Sequence, residues 1–155
     1  MGSTDDATDP RPSVADRVEL RALVETYAMA VDRKDWPLLG SLFGDAGRLV
    51  VYRAAGQEEP TAVRTGSVEI ATVVGEGLSR YRETSHMVGA HSISMSDNPD
   101  VATGFTTCRA YHLQGAASLM IMAIRYEDAY VRSGTWRFSE RHVRLLWREQ
   151  RTLVP

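Results

Sequence analysis

The 155-residue chain carries one cysteine, Cys108, and one lysine, Lys34, among its 18 basic residues; the remainder are arginine. A lone cysteine excludes an intrachain disulfide framework and any cysteine-rich zinc site. No apolar run approaches the roughly 18 residues that a membrane-spanning helix needs. There is no basic excess either: 20 Asp+Glu stand against 18 Lys+Arg, a formal charge of −2. Such a balance gives no field to hold a polyanion, which argues against a nucleic-acid partner. Met1 to Pro12 is polar and acidic, without the apolar stretch of a secretory signal. The motifs GxGxxG, GxxxxGKS/T, GxSxG and HExxH are missing, which removes the usual support for nucleotide, phosphate, serine-hydrolase and zinc-protease chemistry. These absences lead to an expectation of a cytoplasmic protein in a reducing compartment, with no membrane partner, cofactor or metal.

What is present reads as one ordinary globular domain, 43% hydrophobic and 25% charged. Residues 1–12 (MGSTDDATDPRP) lack periodicity and read as a disordered tail, leaving 13–155 as a single domain. Asp5, Asp6, Asp9 and Asp16 concentrate the acidity at that end. From Ser13, Leu20, Leu23, Val24, Tyr27 and Val31 form one stripe of an amphipathic helix. Asp35 followed by Trp36-Pro37 starts a second, short helix, with Leu39, Leu42 and Phe43 on one side and Gly44 and Gly47 ending it. Arg48–Arg53 reads as a strand and Ala54–Thr65 as a polar loop. Ser67 is placed to cap a third helix reaching about Arg82, weakened by Gly75 and Gly77.

After Thr84 the pattern is strand. His86–Met95, Val101–Leu113, Ala117–Arg132 and Trp136–Arg148 alternate, separated by turns at Ser96–Asp100 and Ser133–Thr135. Helices first and long strands afterwards predict an α+β fold, with helices on one face of a largely antiparallel sheet. One strand has small residues at its even positions: Ala102, Gly104, Thr106, Cys108, Ala110, then His112. Two readings of that face stay open, a pocket floor or a seat for a bulky helix.

Metal and thiol chemistry find little support. His86 and His91 fall on opposite strand faces unless a bulge intervenes, and Cys108 stands roughly 13 Å from His112 by strand rise. Acid–base chemistry fits better. Asp32 lies at the C-terminal end of the first helix, where the macrodipole disfavours an anion, so it needs a specific partner. His86 is the obvious one, because a carboxylate fixes the imidazole tautomer and stabilises the imidazolium. Tyr27 is then a candidate hydrogen-bond or proton donor. The bland alternative makes Tyr27 core and Asp32 a surface charge. Tyr52 and Tyr81 are candidates for a pocket mouth, and Met122 and Cys108 for its lining. Arg125, Arg132, Arg137 and Arg141 are expected on the outer sheet face or at a subunit interface.

The segment RALVETYAMAVDRKDWPLLGSLFGDAG, followed by TSHMVGAH, ATGFTTCRAYHL and RYEDAYVRSGTWRFSERHVRLLW, resembles the SnoaL-like branch of the nuclear-transport-factor-2-like superfamily. That branch includes bile-acid 7α-dehydratase and scytalone dehydratase. The resemblance implies a cone-shaped α+β barrel, a curved and mostly antiparallel sheet wrapped by three N-terminal helices. It implies a catalytic set of Tyr27, Asp32, His86 and Arg144, in which an Asp-oriented His takes a proton beside a carbonyl and hydroxide leaves as water. A further Asp of the dehydratase pattern is replaced by Ala110, and His112, two along on the same face, is the residue offered in its place. It implies no cofactor, a small apolar or polycyclic substrate of steroid or polyketide type, and a homo-oligomer, dimer or trimer. Ring closure, ketosteroid-type isomerisation and a non-catalytic binding or assembly role are the alternatives.

Overall fold

The structure, a computed structural model, describes residues 11–154. The expected tail therefore lies, but for Arg11 and Pro12, outside the described residues. The elements run α1 (Val14–Asp32), α2 (Trp36–Ser41), β1 (Phe43–Tyr52), β2 (Ala62–Thr65), α3 (Ser67–Leu78), β3 (Glu83–Met95), β4 (Val101–Gln114), β5 (Ser118–Ser133) and β6 (Thr135–Thr152). The strands form one curved sheet in the order β2-β1-β6-β5-β4-β3. All neighbours are antiparallel except β1 and β6, which run parallel. This is the α+β cone expected of the sequence, with three helices before the long strands.

The helix starts follow from their caps. Ser13 accepts from the Asp16 backbone N–H at 3.0 Å, and Asp35 accepts from Leu38 at 3.0 Å. The third helix starts differently: Gly66, at φ 87°, is the N-cap and Ser67 makes no capping bond. Glu69 takes over, its carboxylate accepting from the Thr65 N–H at 3.0 Å. That helix stops at Leu78 rather than Arg82. The second stops at Ser41, and Gly44 and Gly47 lie inside β1, where the register shifts between Phe43 and Arg48. The predicted polar loop contains β2, a four-residue edge strand held only by β1.

The apolar stripe of α1 is buried as its spacing requires. Leu20 and Val24 are fully covered, and Tyr27 meets Phe43, Tyr126 and Phe138 edge-on with centroids 5.9–6.3 Å apart. Each such aliphatic side chain contributes on the order of 1.5–3 kcal/mol by leaving water. The small-residue face of β4 does point inward. Neither open space nor a helix covers it at Gly104, where a Cβ would lie 2.5 Å from the Tyr130 hydroxyl.

Two bulges reset which residues face the core. One in β3, between Val88 and His91, turns His91 to the same face as His86, contrary to plain alternation. Another, where Ala129/Glu140 gives way to Tyr130/Phe138, moves the inward face of β6 from Trp136 and Phe138 to Arg141 and Val143.

Candidate active site

Asp32 closes α1 opposite the start of β3, and three donors converge on its carboxylate. The His86 ring nitrogen Nδ1 lies 2.7 Å from Oδ1, the His86 backbone N–H donates to Oδ2 at 2.8 Å, and the Thr84 hydroxyl donates to Oδ1 at 2.9 Å. Burial pushes the Asp32 carboxyl up, but these hydrogen bonds outweigh it and hold the group below the ordinary carboxylate range. An ionised Asp32 accepting from Nδ1 puts the neutral ring's proton there, which leaves Nε2 as the basic nitrogen. The anion at the unfavourable helix end has found the partner its position called for.

His112 packs beside this pair, its ring 5.3 Å from that of His86 and 4.6 Å from that of Tyr81. Burial and the neighbouring His86 push its pKa down to about 4, so it is neutral near pH 7. Neither of its ring nitrogens has a hydrogen-bond partner among the described residues. Tyr81 is held in place by two cations. Arg80 donates to its hydroxyl at 2.8 Å, and Lys34, the lone lysine, donates to its carbonyl at 2.9 Å from the turn after α1. Ala110 pairs across from His86 and Met122 across from Ala110, which sets a small and an apolar residue next to the histidines.

A second polar cluster, unread in the sequence, lies deeper on the same inward face. Arg141 is fully buried, and its guanidinium makes two 2.8 Å bonds to the buried Asp128 carboxylate. Tyr130 donates to Asp128 at 3.0 Å, so the His91 Nε2, 3.2 Å from the Tyr130 oxygen, is the donor to it. The Arg141 Cζ lies 4.1–4.2 Å from the ring centroids of Tyr27, Tyr126 and Phe138. Placing Arg141 on the outer face thus fails. Asp128 was the available signal: a carboxylate alternating with Tyr126 and Tyr130 on an inward face demands a buried cation.

Three of the expected site residues stand elsewhere. Tyr27 is five residues from Asp32, roughly 140° around the helix, and its ring partners belong to the Arg141 cluster. Burial, opposed by Arg141, raises its phenol pKa. Arg144 is turned to the outer face by the β6 bulge, where it donates to Glu127 at 2.8 Å and lies 3.8 Å over the Tyr52 ring. Tyr52 is on that outer face too, its hydroxyl 3.2 Å from His142. Arg144 and Tyr52 therefore do not join the Asp32–His86 pair. A cleft of about 370 Å³ between α1 and β3, lined by Arg21, Glu25, Ala28, Met29, Asp32, Arg33, His86 and Val88, opens beside that pair. Tyr52, Tyr81, Cys108 and Met122 do not line it; Cys108 and Met122 pack into the core instead. Among the described residues no cluster of three or more His, Cys, Asp and Glu is arranged to hold a metal ion, and no helix is long and apolar enough to cross a membrane.

The family model that matches the chain, described as a SnoaL-like domain, spans residues 12–142. The chain belongs to that family. Among solved structures it is similar to a putative scytalone dehydratase from Novosphingobium aromaticivorans, at 17% identity and a TM-score of 0.76, covering 91% of each chain. It is similar to a type 2 hexachlorocyclohexane dehydrochlorinase (LinA) at 17% identity and TM-score 0.77, covering 92% of this chain and 95% of that one. A Kribbella flavida protein matches at 20% identity and TM-score 0.75, over 87% and 93% of the two chains. No curated protein sequence matches.

Proposed function

We propose that the chain is a cofactor-independent lyase, a dehydratase acting on a polycyclic or aromatic-type small molecule of steroid or polyketide kind. The observation that carries this reading is the 2.7 Å contact between His86 Nδ1 and a triply hydrogen-bonded Asp32. His86 Nε2 takes the acidic proton beside the substrate carbonyl, and Asp32 stabilises the imidazolium that forms. Neutral His112 hydrogen-bonds the enolate oxygen without competing for the proton, and the His86 imidazolium returns that proton to the departing hydroxide, which leaves as water. The similar dehydratase and dehydrochlorinase folds support an elimination in which a proton and a leaving group depart from neighbouring carbons. The chain acts as a homo-oligomer, dimer or trimer, through the outer sheet face, where Phe105 and Trp147 are exposed.

A panel of polycyclic β-hydroxy ketones, read by product mass, tests this. Loss of one water marks dehydration, whereas unchanged mass marks isomerisation in the same site. His86→Ala and Asp32→Asn are each expected to lower turnover by about 10²–10⁴-fold. Full turnover in both variants overturns the assignment.

A further inference from the structure

The cleft beside the Asp32–His86 pair continues past it. A second cleft, of about 410 Å³, lies between the first half of α1 and the second half of β3, and Arg21 lines both. Together they make a trough that follows α1 from Asp32 back to Arg17 and β3 from His86 on to Ser92. At about 1.5 Å per helical residue and about 3.3 Å per strand residue, each wall measures roughly 20 Å.

Polarity changes along that length. Ala28, Met29 and Val88 supply an apolar stretch near His86, whereas the far end is bordered by Arg11, Arg17 and Arg21. Arg17 and Arg21 stand one helical turn apart, where like charges repel. Arg21 is compensated and fixed: Nε donates to Glu25 and Nη1 to the Gly89 carbonyl, both at 2.7 Å. The β3 bulge is what turns Gly89 to this use and brings His91 round to line the far end. Arg17 gives only Nε, to the Pro12 carbonyl at 3.3 Å, and no carboxylate among the described residues pairs with it. Arg21 Nη2 and both terminal nitrogens of Arg17 are thus left as donors without a partner among the described residues.

We infer that the far end of the trough is an oxyanion site, where Arg17 and Arg21 hold a phosphate or carboxylate carried on an extended arm of the substrate. The other end of that substrate brings the reacting carbons to His86. This rests on the proposed lyase site and adds a feature to its substrate. Guanidinium has donors only and matches the paired oxygens of either anion, so the group it meets must be an acceptor of that kind. The arm spans roughly 20 Å, and its hydrocarbon part lies against Ala28, Met29 and Val88. Arg17 and Arg21 are specificity-determining residues, remote from the proton transfer.

Inorganic phosphate is titrated first, followed by nitrogen-detected NMR of the arginine and histidine side chains. The Arg17, Arg21 and His91 signals are expected to shift, and those of His86 to stay. Phenylalkyl phosphates of increasing chain length are then compared with the matching carboxylates and alcohols by calorimetry. Affinity is expected to peak where the chain spans roughly 20 Å. At that length the anion is expected to bind about tenfold tighter than the alcohol, and the tighter of phosphate and carboxylate names the group. Arg17 is exposed, so Arg17→Gln leaves the core untouched; it is expected to weaken the anion about three- to tenfold and flatten its salt dependence. Arg33→Gln removes the same charge at the His86 end and is expected to leave inorganic phosphate binding within about twofold. An anion no tighter than the alcohol, the absence of a length optimum, or equal losses in the two arginine variants overturns the site. His86→Ala is expected to keep phosphate binding while losing turnover; turnover persisting there removes the lyase reading and leaves the phosphate titration to decide the oxyanion site.

Discussion

At the residue scale, two histidines 5.3 Å apart are made unequal by what surrounds them. His86 has a carboxylate on Nδ1, whereas His112 has aromatic neighbours and no partner. A base whose pKa falls from 6.5 to about 4 on folding binds fewer protons folded than unfolded across that interval. Stability therefore drops as pH falls from about 6.5 towards 4, by up to roughly 3 kcal/mol for His112. His91, also lowered mainly by burial, adds in the same direction. His112→Phe keeps a ring of similar size, so urea denaturation of that variant is expected to lose most of this slope. Asp32 behaves oppositely to a buried neutral acid. Held below its ordinary range, it stabilises the fold above about pH 4, and that stability is lost as pH falls through its lowered value.

At the scale of elements, α1 is fastened at both ends. Its first turn is tied by Asp16, which accepts from Arg132 at 2.7 Å and from the Trp136 indole at 3.0 Å while bonded to Ser13. Asp16→Ala leaves that buried indole N–H unpaired and is expected to cost about 2 kcal/mol, read as a melting temperature some 4–8 °C lower. Asp16→Asn, which keeps an acceptor, is expected to recover part of the loss. The α2–α3 contact is equally tight: a Cβ on Gly40 would stand 2.8 Å from the Ser67 carbonyl oxygen. Gly40→Ala must displace backbone and is expected to cost about 1–3 kcal/mol by thermal denaturation. The helices and long strands were legible because caps and periodicity are local signals. The edge strand Ala62–Thr65 was not, since four residues in a polar stretch show no alternation and pairing with β1 alone creates them. Bulges were equally invisible. One between Val88 and His91 and another beside Ser139 invert the parity on which face assignments depend.

For the whole molecule, that parity inversion separates the two halves of the candidate site. Asp32 was legible because an anion at a helix C-terminus is locally costly, and His86 because it begins the strand opposite. The resemblance assigns the site's arginine to Arg144, but the bulge in β6 turns Arg144 outward and brings Arg141 inward. The resulting Asp128–Arg141 pair sits in the aromatic core, its side chains fully covered. Removing one member strands a buried charge, so Arg141→Met is expected to cost about 3–5 kcal/mol. Arg141→Met with Asp128→Leu is expected to restore most of that in equilibrium unfolding, as apolar residues replace both charges. A double variant no more stable than the single would mean that the pair's surroundings, rather than the charge left behind, set the loss.

The central claim is that Asp32 holds His86 as the site's base while His112 stays neutral beside it. Nitrogen-detected NMR of the imidazole rings through a pH titration tests it directly, without a substrate. The expected result is a neutral His86 protonated on Nδ1, an Asp32→Asn variant in which that tautomer preference weakens, and His112 charging only near pH 4. His86 protonated on Nε2 at neutral pH, or His112 charged there, would contradict the account.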